Sequence, residues 1–393
     1  MAVRPGRRLV VRRPGLIAFV LIALNLRTVI TSLPPLLADV RADLGLSAAL
    51  AGLLTTLPLL AFGALAPVAP WLARRVSLER ILAVCVAVTG VGAAVRAVGG
   101  VGGLFLGSCL AGAAVAIAQA ALPVLIRVGY PERMGALTGA FSMALSVGSA
   151  LPGAVAVPLA DLLGSWQASL ATWALPAALA ALMWAPAAMN GTFVTGPRPK
   201  TLYRSPLAWA VAGYFGMQSI GFYAGLAWLP EILQAEGWSD AAAGSLQAAS
   251  YVVGILPAWI IPIVAARRRS QRRQLAWTVV VICIGVVGLL VDPGRALVWV
   301  LLIGFGQGGT LGLALILPML RAREPGAIAS MTAMMFSIGY LLAAVGPWIV
   351  GAARDLTGGW TAAIITLLVL TLLQLIPGLP ATRDRYVASS ADG

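Results

Sequence analysis

An arginine sits inside an apolar stretch of this chain: "LIALNLRTVITSLPPLL", Leu21 to Leu37, carries Arg27 with Asn25, Thr28, Thr31 and Ser32 around it. A charged side chain near a bilayer centre costs about 2.5–3.5 kcal/mol to insert, so it is expected to handle an ion or a substrate. Its planar guanidinium stays protonated and can give two parallel hydrogen bonds to an oxyanion or a nitro group. The other use of an arginine here is structural, bonded to carbonyls exposed by a broken helix or to the end of another span. At 100° per residue the polar side chains fall within about 160° of one helix face, which is expected to turn toward a cavity.

Further polar residues lie within apolar runs: Gln119, Ser142, Ser146, Gln307 and Tyr340, and two pairs four residues apart, Tyr214 with Gln218 and Gln247 with Tyr251. Each pair puts an aromatic wall and an amide on one helix face. The expected substrate contacts are Arg27, Asn25, Thr28, Thr31, Tyr214, Gln218, Gln247, Tyr251, Gln119 and Gln307, although any single uncharged one serves equally as a bridge between packed helices. There is no histidine, and Cys85, Cys109 and Cys283 all fall in apolar stretches. Without a Ser/His, Cys/His or metal-ligand constellation, no enzyme activity, cofactor or metal is expected. None of the 13 acidic residues falls in the middle of an apolar run. A buried carboxylate for proton coupling is therefore not expected, which leaves uniport, exchange, or symport with the proton carried on the substrate. Glu231 and Asp39 stand nearest to an exception, each close to an outer helix end.

The elements that must position these residues are membrane spans. Of 393 residues, 60% are hydrophobic and 10% charged, against about 25% charged in a soluble domain. Apolar windows between breakers predict twelve spans, roughly 15–38, 48–72, 79–97, 103–126, 134–160, 167–187, 207–233, 241–265, 275–291, 296–320, 327–350 and 360–380. The net charge of +14 does not point to nucleic acid, because the basic residues sit in alternate connections, densest in "RRRSQRR", Arg267 to Arg273. The opposite connections hold only Arg41, Arg96, Arg295 and Arg354. The positive-inside rule then puts both termini in the cytoplasm of a multi-pass plasma-membrane protein, with anionic headgroups against the inner basic loops.

An internal repeat supports the count. "LPVLIRVGYPERMGALTGAFSMALSVGSALPG" from Leu122 lines up with "LPMLRAREPGAIASMTAMMFSIGYLLAAVGPW" from Leu317 at an offset of 195. "DLGLSAALAG" from Asp43 and "AEGWSDAAAG" from Ala235 repeat at 192. The expected organisation is a tail over 1–14, a six-helix half over 15–188, a cytoplasmic linker over 189–206, a second half over 207–380 and a tail over 381–393. The fold class is all-α integral membrane, twelve helices in two pseudo-symmetric halves, as in secondary transporters of the major facilitator type. Applying offsets of 192 and 196 to Arg27 lands on Ser219 and Tyr223, neither charged. An asymmetric site is expected, with the second half adding hydrogen bonds and aromatic walls.

The stretch "ALNLRTVITSLPPLLADVRADLGLSAALAGLLTTLPLLAFGALAP", Ala23 to Pro67, resembles the start of the cyanate/nitroimidazole permeases of the CynX/NimT type. The resemblance rests on Asn25, Leu26 and Arg27 and on the exit Pro35, Leu36 and Leu37. Two departures are Pro34 in place of a glycine and "RRVS", Arg74 to Ser77, where the superfamily carries Asp-Arg-x-Gly. The resemblance implies uptake or exchange of a small polar or anionic molecule, and a monomer is expected. "GFGQGG", Gly304 to Gly309, satisfies a nucleotide-binding pattern, but no strand precedes it, so it reads as close helix packing. The sequon "NGT", Asn190 to Thr192, falls in the linker and carries no weight. Two other readings stand beside an alternating-access carrier of a small anion or compact polar heterocycle: an efflux antiporter, and a membrane-embedded enzyme or sensor.

Overall fold

The structure, a computed structural model, describes residues 15–46, 48–189, 191, 193 and 202–387. The expected tail over 1–14, the last residues of the C-terminal tail and most of the linker, Asn190 and Thr192 of the sequon included, lie outside the described residues. Within them the chain is helical, with no strand. Twelve segments occupy the twelve expected windows: α1 (Leu16–Thr31), α2 (Ala48–Leu65), α3 (Leu78–Ala97), α4 (Gly100–Gly129), α5 (Met134–Leu163), α6 (Ala174–Ala188), α7 (Pro206–Ala235), α8 (Asp240–Ala266), α9 (Arg272–Val291), α10 (Ala296–Arg321), α11 (Pro325–Ala343) and α12 (Trp360–Leu373). Among the described residues ten helical stretches are long and apolar enough to cross a membrane; α2 and α7 are the two segments outside that set.

The breaks follow local chemistry. Pro34 and Pro35 have no N–H, so α1 stops at Thr31 and passes into a 3-10 turn over Pro34–Leu36. The helices α7 and α8 begin behind Ser205 and Ser239, whose hydroxyls accept from the backbone N–H of Ala208 and Ala242. The duplication reaches the backbone itself. Gly45 and Gly237 both have positive φ, 62° and 90°, as do Gly164 and Gly358 at 75° and 70°. Glycine tolerates that geometry without a Cβ clash, and it recurs at matching places in the two halves.

The peripheral helices are α3, α6, α9 and α12, which expose Val84 and Val91, Leu179 and Leu182, Val280 and Ile284, and Val369 and Leu372. Apolar side chains turned outward from every such helix match lipid as the surrounding solvent. The halves meet through α5 on α8 and α2 on α11, two contacts that the repeat exchanges. Gly139 of α5 lies so close to α8 that a Cβ there would stand 2.4 Å from the Trp259 carbonyl oxygen, and Gly135 abuts Ala266. On the other side the Ser337 hydroxyl of α11 donates to the Gly63 carbonyl of α2. The α5–α8 approach lies toward the end that carries Arg267 to Arg273. One apolar core runs through both halves, including Phe62, Phe141, Phe215 and Phe336.

Candidate functional site

Arg27 is 7% exposed and sits in the last turns of α1, where Gly148 of α5 lets the two backbones approach. A Cβ at Gly148 would stand 2.5 Å from the Leu24 carbonyl oxygen. The Thr31 hydroxyl lies at 2.9 Å from the carbonyl of Arg27 and 3.1 Å from that of Gly148, so α5 fixes the turn from which the arginine projects. The guanidinium reaches into the other half. Nη1 donates to the Tyr223 hydroxyl of α7 at 2.8 Å, and Nη2 donates to the Tyr340 hydroxyl of α11 at 2.9 Å. Gln119 of α4 donates through Nε2 to the same Tyr340 oxygen. The Tyr340 ring is itself held by Phe62, Phe215 and Phe336, with centroids at 4.7, 5.2 and 5.8 Å.

Among the described residues no carboxylate pairs with Arg27. Neutral hydroxyls offset only part of the several kcal/mol that removing an ion from water costs, so a net positive charge remains inside the protein. Beside it lies a cavity of about 40 Å³ whose lining includes Arg27, Ser146 and Ser149 of α5, Gln218 of α7, Tyr251 of α8 and Gln307 of α10. A single water needs roughly 10–15 Å³ on the same measure, so the space suits a compact ligand. Ser146 and Ser149 donate back to the carbonyls of Ser142 and Leu145, which leaves oxygen lone pairs for the cavity.

Four of the ten sequence candidates line this space: Arg27, Gln218, Tyr251 and Gln307. Gln119 joins through Tyr340. The others lie elsewhere. Asn25 donates to the carbonyls of Leu21 and Pro176, toward α6, and Thr28 is fully buried in the packing of α1. Thr31 holds α5, the Tyr214 hydroxyl points at the Thr310 carbonyl, and Gln247 donates to the carbonyls of Gly225 and Leu226 on α7. The expectation that the whole polar face of α1 turns to the cavity is corrected here. An arc of about 160° is wide enough to meet more than one neighbour, so only its Arg27 edge reaches the cavity while the Asn25 edge meets α6.

Two partners were missed from the candidate set: Tyr223 and Tyr340. Neither repeat offset, 192 or 195, carries Arg27 onto Tyr223, and nothing local announces the contact. Arg96 is also corrected, from an outer connection to the interior. It is 1% exposed, donates through Nε to the Ser108 hydroxyl at 3.0 Å, and through Nη1 to the Val29 carbonyl. It therefore joins the Ser32 hydroxyl on the Val29 carbonyl and caps the last turn of α1, two residues beyond Arg27, where the helix ends. The "GFGQGG" glycines pack α10 closely on two helices, Gly304 and Gly308 against Ser250 and Gly254 of α8, and Gly306 and Gly309 against Ile282 and Thr278 of α9.

The sequence profile of the Major Facilitator Superfamily matches residues 15–347. The chain is 36% identical over 372 residues to the 2-nitroimidazole transporter of Escherichia coli (strain K12), spanning 93% of this chain and 95% of that one. It is 31% identical over 369 residues to the cyanate transport protein CynX of Escherichia coli (strain K12), spanning 91% and 96%. Among solved structures it matches the proton:xylose symporter XylE bound to 6-bromo-6-deoxy-D-glucose, with a TM-score of 0.73 over 93% of this chain and 94% of the other, at 15% identity, a likeness of fold alone.

Proposed function

The chain belongs to the major facilitator superfamily and is a multi-pass membrane transporter of a small molecule, and from that premise we propose that its cargo is a small anion or a compact nitro-bearing heterocycle held at Arg27. The observation that carries this reading is a buried arginine whose described side-chain partners are neutral hydroxyls of the opposite half. An oxyanion or nitro group supplies what the site lacks, negative charge in the plane of the guanidinium. The tyrosines take part as well. Tyr223 lines the cavity and accepts from Arg27, so it keeps its own phenolic proton to donate to the cargo, while Tyr340 holds the guanidinium from behind the cavity. The relatives named for cyanate and 2-nitroimidazole carry ligands of these two kinds.

Transport follows by rocking one half against the other about the central site. Tyr223 and Tyr340 belong to one half and Arg27 to the other, so the cargo is bound where the halves must separate. The arginine-rich connections face the cytoplasm of the plasma membrane, which makes the close α5–α8 contact the inner closure. Uptake into proteoliposomes tests the reading: preloaded unlabelled cyanate or 2-nitroimidazole is expected to drive counterflow of the labelled compound. Counterflow of neither, in vesicles whose protein remains monodisperse on re-extraction, would overturn it.

A further inference from the structure

The cavity carries polar groups that Arg27 does not use. The side-chain oxygen of Gln307 and the hydroxyl of Tyr251 are both buried and have no hydrogen-bond partner among the described residues. Leaving such a group unpaired costs about 1–3 kcal/mol, and native interiors hold few of them. Both residues line the cavity. The amide nitrogen end of Gln307 lies against α7 at Gly221, where a Cβ would stand 3.2 Å away. Its oxygen is left as an acceptor with no donor.

An aromatic path links Tyr251 to the partner of the arginine. Tyr223, bonded to Arg27, meets the Phe222 ring edge-on at 5.2 Å between centroids, and Phe222 meets the Tyr251 ring at 5.6 Å. Phe222 also lines the cavity, an apolar face among its polar groups. A simple anion can accept from Arg27 and from the Tyr251 hydroxyl. It gives nothing to an orphaned acceptor.

We propose that the site reads two poles: it selects compact planar rings with polarised oxygens at one edge, for Arg27, and an N–H or O–H donor at another, for the Gln307 oxygen and the Tyr251 hydroxyl. This rests on the assignment of Arg27 as the anchor for the cargo. Gln307 and Tyr251 are then specificity determinants. A site built around a hydrogen bond discriminates strongly against an analogue that lacks the donor, because its own polar group stays unpaired.

The test is equilibrium binding of 2-nitroimidazole and of its N-methylated form, which lacks the donor, to the full-length purified protein. The wild type is expected to prefer the N–H form by about tenfold, the ratio for 1.4 kcal/mol. Gln307→Met preserves side-chain length and Tyr251→Phe preserves the ring; each is expected to bring the ratio close to one. Arg27→Gln should weaken both ligands and leave the ratio in place. An unchanged ratio in both the Gln307 and Tyr251 variants, with Arg27→Gln still weak for both ligands, overturns the second pole and leaves the anchor standing. Wild-type binding of both ligands by Arg27→Gln overturns the anchor and the second pole with it.

Discussion

The Arg27 guanidinium and the Tyr223 hydroxyl stand 2.8 Å apart across the two halves, and the residues are 196 positions apart in a chain whose halves repeat at an offset of 195. The repeat offsets of 192 and 195 carry Arg27 to Ser219 and Phe222, so its partner Tyr223 lies beside the equivalent positions on α7, and the two halves meet at the centre as a cation and a neutral acceptor with a proton to give. Divergence of the two copies has turned a symmetric scaffold into an asymmetric site.

Removing either tyrosine hydroxyl should weaken binding without dismantling the aromatic packing. Tyr223→Phe deletes one hydrogen bond worth about 0.5–1.5 kcal/mol, so ligand affinity is expected to fall roughly 3–10-fold. Tyr340→Phe does the same and also orphans the Gln119 amide, so it should additionally lower the unfolding midpoint in detergent. Calorimetric titration and thermal denaturation of the two variants separate these effects. Unchanged affinity in both would remove the tyrosines from the cargo's contacts.

The spans and their duplication were legible in the sequence because hydropathy, Gly/Pro breakers and basic loops recur with one period. The paired glycines Gly45 and Gly237 are an example, standing in matching motifs before the structure gives them matching φ. Arg27 was legible because a charge inside an apolar run has few uses. Tyr223 and Tyr340 were not, since a tyrosine in a span is inexpensive and its contact with Arg27 arises only when the halves pack. Arg96 was misplaced for a similar reason: its position near the end of a span looks like an anchor, and only the distant break in α1 draws it inward.

Arg96 should act on the site through α1. One ammonium cannot reproduce the fork that joins the Ser108 hydroxyl to the Val29 carbonyl. Arg96→Lys is therefore expected to cost about 1–3 kcal/mol of stability and to weaken ligand binding, because Arg27 sits two residues before the capped carbonyl. Thermal unfolding and binding are measured on the same preparation. A variant as stable as wild type would show that the cap contributes nothing.

Gly139→Ala should disfavour the closed α5–α8 arrangement, since the added Cβ falls 2.4 Å from the Trp259 carbonyl oxygen. Overpacking of this kind costs about 1–3 kcal/mol. The population open toward the arginine-rich end is then expected to rise about tenfold. A reporter Ser146→Cys in a cysteine-free background, labelled by a membrane-impermeant thiol reagent applied from that end, reads the shift. Slower labelling in the glycine variant contradicts the assignment of the closure.

Glu231 and Asp39, the two acids nearest to being buried on sequence grounds, are both exposed. Neither lines the cavity. Glu231→Gln and Asp39→Asn are accordingly expected to leave the response to an imposed pH gradient as it is in the wild type, assayed in proteoliposomes with a cargo that does not titrate near neutrality. Loss of gradient-driven accumulation with exchange intact would identify that carboxylate as the coupling group.

The central claim is that Arg27 holds the cargo, and equilibrium binding to an Arg27 series tests it most directly. Labelled cyanate and 2-nitroimidazole are titrated against wild type, Arg27→Lys and Arg27→Gln, each shown to be folded by its unfolding transition. The account predicts loss of measurable binding in Arg27→Gln and weakened, unrestored binding in Arg27→Lys, because a point charge does not replace the planar fork. Wild-type affinity in a folded Arg27→Gln would contradict it.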